Sequence, residues 1–142
     1  MEPTLLGLVL DSSVLIAAER AKLTTPEAIK NIRSAVGEVP IAICALTVAE
    51  LAHGIYRAAS PERSRQRRQF LDELKAQAPI QPITGATAEI IARIGAGQAA
   101  QGINLPLADL IIGATAVELG YAVATRNLRD FNRIPGLQVV QV

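Results

Sequence analysis

Two short apolar runs each lead into a segment with helical spacing of apolar residues. Residues 5–10 are continuously apolar and close at Asp11, which is typical of a strand that is buried on both faces and passes directly into a helix. Residues 41–44 form a second such run, after which Val48 and Leu51 recur at helical spacing. The weaker strand candidates are residues 80–83, 122–124 and 138–142. Residues 80–83 are expected at an edge of the sheet, because Pro82 cannot donate a hydrogen bond to a neighbouring strand.

Helical segments occupy most of the remaining chain. Thr25 as N-cap and Pro26 in the first turn predict a helix over residues 26–35, and Gly120 ends the last long helix. The other predicted helices cover residues 14–19, a segment beginning near residue 48, and residues 61–78, 86–100 and 107–119. Strands that alternate with helices predict an α/β fold of three layers, with a mostly parallel central sheet of about five strands. The length predicts a single domain over residues 1–142.

The composition excludes several classes of site. Cys44 is the only cysteine and His53 the only histidine, which excludes a disulfide framework and a cysteine–histidine metal site. The 14 basic and 13 acidic residues give a net charge of +1, so the chain lacks the overall positive charge that holds nucleic acid by bulk electrostatics. Any contact with nucleic acid must therefore use local basic patches.

The surface and the start of the chain give two further expectations. Charged residues make up only 19% of the chain and the mean hydropathy is +0.30, so we expect a protein partner to cover part of the surface. The apolar run at residues 5–10 ends at Asp11 and follows no basic residue, so it fits neither a secretory signal nor a membrane span. We expect a cytoplasmic protein without membrane contact.

Carboxylates at predicted helix starts are the candidate chemical groups. Of the four aspartates, Asp72 lies in a charged helix and is interpreted as a solvated surface residue. Asp11, Asp109 and Asp130 have more apolar or turn-like surroundings, and Glu50 joins them. Each has a structural interpretation that stays open: Asp11 as an N-cap, Glu50 in a capping box with Thr47, Asp109 at a helix dipole, and Asp130 in a turn.

The predicted topology brings two of these carboxylates together. The carboxyl ends of parallel strands share one edge, so Asp11 and Glu50 are expected in one crevice, whereas Asp109 follows a helix and is not placed by this rule. Carboxylates in such a crevice repel each other by about 4 kcal/mol per pair at about 4 Å. No lysine lies in the surrounding segments, so we expect a hard divalent cation, Mg²⁺ or Mn²⁺, to offset the repulsion. Such cations favour phosphodiester chemistry.

Four motifs follow one another along the chain. LVLDSSVLI, at residues 8–16, joins an apolar strand to an aspartate and a hydroxyl residue, and LTVAEL, at residues 46–51, carries a glutamate. LADLIIGATA, at residues 107–116, carries an aspartate, and ATRNLRDF, at residues 124–131, ends a strand in a polar turn. In this order and spacing they resemble the PIN domains, and among these the VapC-type toxins of bacterial toxin–antitoxin pairs. The resemblance implies a three-layer PIN-like fold.

The resemblance also implies a function. PIN-domain toxins of this type are metal-dependent endoribonucleases that take single-stranded or structured RNA as substrate, bind a cognate antitoxin and form homodimers. Asp11, Glu50 and Asp109 match their catalytic, metal-binding acids, with Mg²⁺ or Mn²⁺ as cofactor. Many relatives have an aspartate where Asn127 stands, so Asn127 is expected to hold a metal-bound water and Asp130, one turn further on, to supply the fourth catalytic acid. The matching hydroxyl positions, expected to orient a carboxylate or water, are Ser12 and Thr125.

Two groups of arginines complete the candidate site. Arg57, Arg65 and Arg68 lie in a basic segment that is either a solvated face, a path for RNA phosphates or a surface for an acidic antitoxin. Arg126 and Arg129 are next to the closing motif, and we expect them to meet substrate phosphate.

Two other functions stay open. A nucleotide-binding or receiver-type domain also ends a strand with an aspartate, but residues 95–100 break the spacing of a glycine-rich phosphate loop, and Ser13 stands where a second aspartate would be needed. The other alternative is a PIN-like domain that has kept the fold and only binds RNA or protein. Saturable uptake of Mn²⁺ distinguishes an enzyme from such a module.

Overall fold

One parallel sheet forms the centre of the molecule, of which the computed structural model describes residues 5–142. Its strands are β1 (Leu8–Leu10), β2 (Ile41–Cys44), β3 (Ile80–Gln81), β4 (Ala122–Thr125) and β5 (Val139–Gln141). The strand order is β3-β2-β1-β4-β5, and every pairing is parallel. The residues of β1 are fully buried, as expected for a central strand covered on both faces. The prediction of a parallel sheet with β3 at an edge is confirmed.

Helices cover both faces of this sheet. Within residues 5–142 they are α1 (Ser12–Arg20), α2 (Thr25–Val36), α3 (Ala45–Tyr56), α4 (Pro61–Gln77), α5 (Gly85–Ala99), α6 (Leu107–Leu119) and α7 (Leu128–Phe131). Leu8 and Leu10 pack in one apolar cluster with residues of α1, α2 and α4, whereas Val9 packs in a second cluster with residues of α5 and α6. Because successive residues of a strand face opposite sides, β1 contributes to both clusters. The predicted three-layer α/β fold is confirmed.

The ends of several elements differ from the sequence prediction. Residues 5–7 precede β1 instead of belonging to it, because the neighbouring strands pair only with Leu8–Leu10. Leu6 is 70% exposed there, although it lies in the apolar run. Residues 127–130, predicted as a turn, form a cap position followed by the single-turn helix α7. Most other ends move by one or two residues, as is usual for helix termini.

The N-cap of α2 is Thr24, and the prediction of Thr25 is wrong. The Thr24 hydroxyl accepts a hydrogen bond from the backbone N–H of Glu27, whose side chain accepts the Thr24 N–H in return. Thr25 is fully buried, and its hydroxyl donates to the carbonyl of Phe70 over 2.7 Å. The hydroxyl that the sequence assigned to a cap therefore joins α2 to α4.

The turn between α6 and β4 depends on a left-handed residue. Gly120 has a φ of 71° and ends α6, with its N–H donating to the carbonyl of Val117. This turn sends the chain straight into β4, beside β1. In the part of the chain that the structure describes, no helix has the length and apolar character needed to cross a membrane.

Substitution of Gly120 tests this turn. Gly120→Ala is expected to lower the free energy of unfolding by about 1–2 kcal/mol, because a Cβ disfavours the left-handed conformation. Gly97→Ala in α5 is the control: its Cβ would meet nothing within 4 Å, so it should raise that energy by about 0.5–1 kcal/mol. Urea unfolding measures both. Equal behaviour of the two variants contradicts the assignment.

Candidate active site

The carboxyl ends of the central strands define the site. Asp11 follows β1 directly and is 5% exposed, and its backbone N–H donates to the carbonyl of Ala124 in β4 over 2.9 Å. Helix α3 begins directly after β2 at the same edge of the sheet, which carries Glu50 into the region. The strand-edge rule therefore brings Asp11 and Glu50 to one crevice.

A hydrogen-bond network holds the Asp11 carboxylate. Its Oδ2 accepts hydrogen bonds from the hydroxyls of Ser13, over 2.7 Å, and Thr125, over 2.9 Å. The Ser13 hydroxyl accepts the backbone N–H of Arg126 over 3.1 Å, and the Thr125 hydroxyl accepts the N–H of Asn127 over 2.9 Å. Asp11 occupies the N-cap position of α1 but makes no side-chain cap hydrogen bond. Its carboxylate is thus tied to the turn after β4 and does not cap the helix.

Asp109 joins this cluster from the first turn of α6. Burial raises the pKa of Asp109 to about 6, and the negative charges of Asp11, Asp130 and Glu50 add to the shift. These interactions show that α6, which follows another helix in the chain, delivers its acid to the same crevice. The charges of Asp11, Glu50 and Asp130 therefore all act on Asp109.

Glu50 is the second acid with a raised pKa. Burial is the main cause and the charge of Asp11 adds to it, while the polar Ser12 side chain opposes the shift. The capping-box interpretation of Thr47 and Glu50 is wrong, because α3 already begins at Ala45 with Cys44 as its N-cap residue. The Glu50 carboxylate therefore does not cap α3, and its Oε1 is buried without a hydrogen-bond partner.

The donor set fits a hydrated Mg²⁺ or Mn²⁺. Within residues 5–142, the ion pairs are those of Arg33 with Glu38, Arg67 with Glu19 and Arg68 with Asp72, so none neutralises the four carboxylates of the cluster. In the same residues, no three His, Cys, Asp or Glu side chains already surround a common metal position. Mg²⁺ keeps several waters and needs only one or two direct carboxylate ligands, which suits an open cluster of oxygen donors with one unpartnered buried oxygen.

The helices that carry or follow these acids differ from the other helices in their caps. The helices that begin at the cluster, α1, α3, α6 and α7, have no side-chain cap hydrogen bond. The remaining helices, α2, α4 and α5, are capped by the hydroxyls of Thr24, Ser60 and Thr84. The positive end of a helix dipole favours an anion within the first turn, which is where Asp109 lies in α6 and Asp130 in α7.

The two candidates for the fourth position differ in their contacts. Asp130 lies in α7 and acts electrostatically on Asp109. Asn127 is exposed at the N-cap position of α7, where its side chain makes no cap hydrogen bond and its N–H donates to Thr125. The charge of Asp130 thus acts on Asp109, whereas Asn127 is held through its backbone N–H.

The arginines separate into two regions. Arg126 and Arg129 are exposed beside the turn that carries Asn127 and Asp130. Arg68 is paired with Asp72 at 3.7 Å on the α3–α4 side, where it lies 5.9 Å from the centre of the Tyr56 ring. Exposed residues of the same basic segment are Arg57 and Arg65. Arg126 and Arg129 thus follow β4, whereas Arg57, Arg65 and Arg68 lie at the end of α3 and in α4.

Ser13 is the site residue that sequence reasoning missed. It follows Ser12 directly, and neither the apolar pattern nor the spacing distinguishes the two hydroxyls. Ser13 bonds to Asp11 and to Arg126, which is 113 positions away in the chain, so only the pairing of β1 with β4 reveals it. The available signal was a second hydroxyl two residues after a strand-ending aspartate.

Comparison with known proteins identifies the family of this chain. The PIN domain family matches residues 8–137. Ribonuclease VapC1 of Rickettsia felis is 33% identical over 137 residues, which cover 96% of this chain and 97% of the relative. The structure of VapBC2 from Rickettsia felis bound to a DNA fragment from its promoter is similar with a TM-score of 0.80 at 19% identity, covering 96% of this chain and 98% of that chain. VapBC-5 from Mycobacterium tuberculosis, a member of the VapBC family of toxin-antitoxin systems, has a TM-score of 0.73 at 25% identity, with coverage of 96% and 99%. The chain belongs to the PIN-domain family.

Proposed function

We propose that this protein is a Mg²⁺- or Mn²⁺-dependent endoribonuclease toxin that hydrolyses phosphodiester bonds of single-stranded RNA. The observation that carries the proposal is the cluster of four carboxylates around Asp109, which lacks a neutralising cation among residues 5–142 and includes a buried oxygen of Glu50 without a partner. The VapC1 relative is named a ribonuclease, which supports RNA as the substrate.

Asp11, Glu50 and Asp109 are the residues proposed to hold the cation, with Asp130 beside them. When bound, the cation supplies charge neutralisation at the phosphate and lowers the pKa of a bound water. Glu50 and Asp109 hold a proton more readily than exposed acids do, and they release it when they become ligands. The exposed Arg126 and Arg129 are the residues proposed to meet substrate phosphate.

A cognate antitoxin is the proposed protein partner. The VapBC-5 relative belongs to a toxin-antitoxin system, and the VapBC2 relative is a complex on promoter DNA, which supports such a partner for this chain. The low proportion of charged residues, 19%, also favours a surface covered by protein. We further propose a homodimer in the cytoplasm, with Arg57, Arg65 and Arg68 available to an acidic segment of the antitoxin.

Loss of one carboxylate tests the catalytic assignment. Asp109→Asn keeps the shape of the side chain but removes a ligand charge, so cleavage of single-stranded RNA in Mg²⁺ should fall by about 100-fold or more. The matched control, Asp72→Asn on the surface of α4, should keep the parental rate. The assay uses antitoxin-free protein. In a separate reaction, a chelator should abolish cleavage by the parent protein. An Asp109→Asn variant that cleaves at the parental rate contradicts the site.

The pH dependence of stability tests the repulsion in metal-free protein. The pKa of Asp109 is raised from 3.8 to about 6 on folding, so the folded state binds its proton more tightly than the unfolded state does. Stability is therefore lost as the pH rises from 3.8 through 6. Asp109→Asn cannot ionise, so its Tm in chelator should exceed that of the parent by about 2–6 °C at neutral pH.

This difference in Tm should shrink as the pH falls below the raised pKa of about 6. Asp72→Asn, which removes an exposed carboxylate, should show no such pH-dependent gain. Thermal unfolding across the acidic range measures both variants. A gain that is independent of pH, or a loss of stability at neutral pH, contradicts the proposed repulsion.

A further inference from the structure

We propose that Ser13 is a positioning residue that fixes the Asp11 carboxylate and locks it to the turn after β4. The inference rests on the proposed function and deepens it, because it says how the first carboxylate is presented to a cation. It follows from the hydrogen bonds that join Ser13 to Asp11 and to the backbone of Arg126.

The hydrogens of this network can be assigned one by one. Each hydroxyl carries a single hydrogen, and both Ser13 and Thr125 donate theirs to Oδ2 of Asp11, over 2.7 and 2.9 Å. The two hydroxyl oxygens lie 3.3 Å apart, and neither has a hydrogen left for that contact. Both then act as acceptors, for the backbone N–H groups of Arg126 and Asn127. The backbone N–H groups of Arg126 and Asn127 are thus connected, each through one hydroxyl, to the same carboxylate oxygen of Asp11.

This arrangement leaves one oxygen of Asp11 for a ligand. Oδ2 accepts two hydrogen bonds, whereas Oδ1 accepts none from the residues that the structure describes. Rotation of the carboxylate would break both bonds to Oδ2. Asp11 is therefore held as a ligand through a single oxygen, with its other oxygen occupied by the protein.

The contacts of Ser13 differ from those of a helix cap. Ser13 is the second residue of α1, and a capping hydroxyl would accept an N–H from the first turn of its own helix. Its hydroxyl instead accepts the N–H of Arg126 at the end of β4 and donates backwards to Asp11. Ser13 thereby couples Asp11 to the turn that carries Asn127 and leads to Asp130.

A pair of variants isolates the hydroxyl. Ser13→Thr keeps it, and Ser13→Val replaces it by a methyl group of nearly the same shape, so both carry the same branching into α1. Ser34→Ala removes an exposed helical hydroxyl that bonds only to the Lys30 carbonyl, and serves as the control for stability. The readouts are the dissociation constant for Mn²⁺, the hydrogen exchange of the Arg126 amide in metal-free protein, and kcat and KM for RNA.

Ser13→Val is expected to weaken Mn²⁺ binding by about 10–100-fold, as for other residues that orient a metal ligand. At limiting Mn²⁺ it should lower kcat with little change in KM, and it should speed exchange of the Arg126 amide about fivefold or more. Ser13→Thr and Ser34→Ala should stay close to the parent in every readout.

Equal Mn²⁺ affinity and equal amide exchange in the Thr and Val variants would overturn the positioning role of Ser13. If the parent protein itself takes up no Mn²⁺ and cleaves no RNA, the proposed function fails instead. The Arg126 amide still reports on the Ser13 network in that case, because its exchange is measured without metal. The two failures are therefore distinguishable.

Discussion

Repulsion among carboxylates in a half-buried crevice is the constraint on which the rest of this structure depends. Asp109 has a pKa raised to about 6 because it is buried beside Asp11, Asp130 and Glu50, and no ion pair in the described residues relieves these charges. A domain built only for stability would replace such a cluster by apolar side chains or add basic partners. Keeping the acids together costs stability, and a bound cation would recover it.

The fold brings the acids together in three different ways. Parallel pairing aligns the ends of β1, β2 and β4, which places Asp11 and the start of α3 at one edge. Asp109 is positioned by the packing of α6 against the sheet. Asp130 is positioned by the single-turn helix α7. Asp109 lies in the first turn of α6, which has no side-chain cap, so the positive end of that helix dipole favours its negative charge.

Much of this arrangement could be predicted from the sequence, and the exceptions have physical reasons. The buried strands and the shared position of Asp11 and Glu50 follow from apolar runs and parallel topology, whereas Asp109 was placed only by family resemblance because its helix follows another helix. The same capping pattern occurs at Thr24 and at Thr47, yet only Thr24 caps, because β2 passes directly into α3 at Cys44. Local patterns cannot distinguish these cases, since tertiary pairing decides them.

Calorimetric titration of Mn²⁺ into the metal-free protein near pH 6 is the most direct test of a cation site built from these acids. We expect saturable uptake with release of protons, seen as a binding enthalpy that depends on the buffer, because Asp109 and Glu50 have raised pKa values. Asp109→Asn should weaken uptake and reduce proton release, while Asp72→Asn should change neither. Absence of saturable uptake by the parent protein, or equal uptake by Asp109→Asn, would contradict the site.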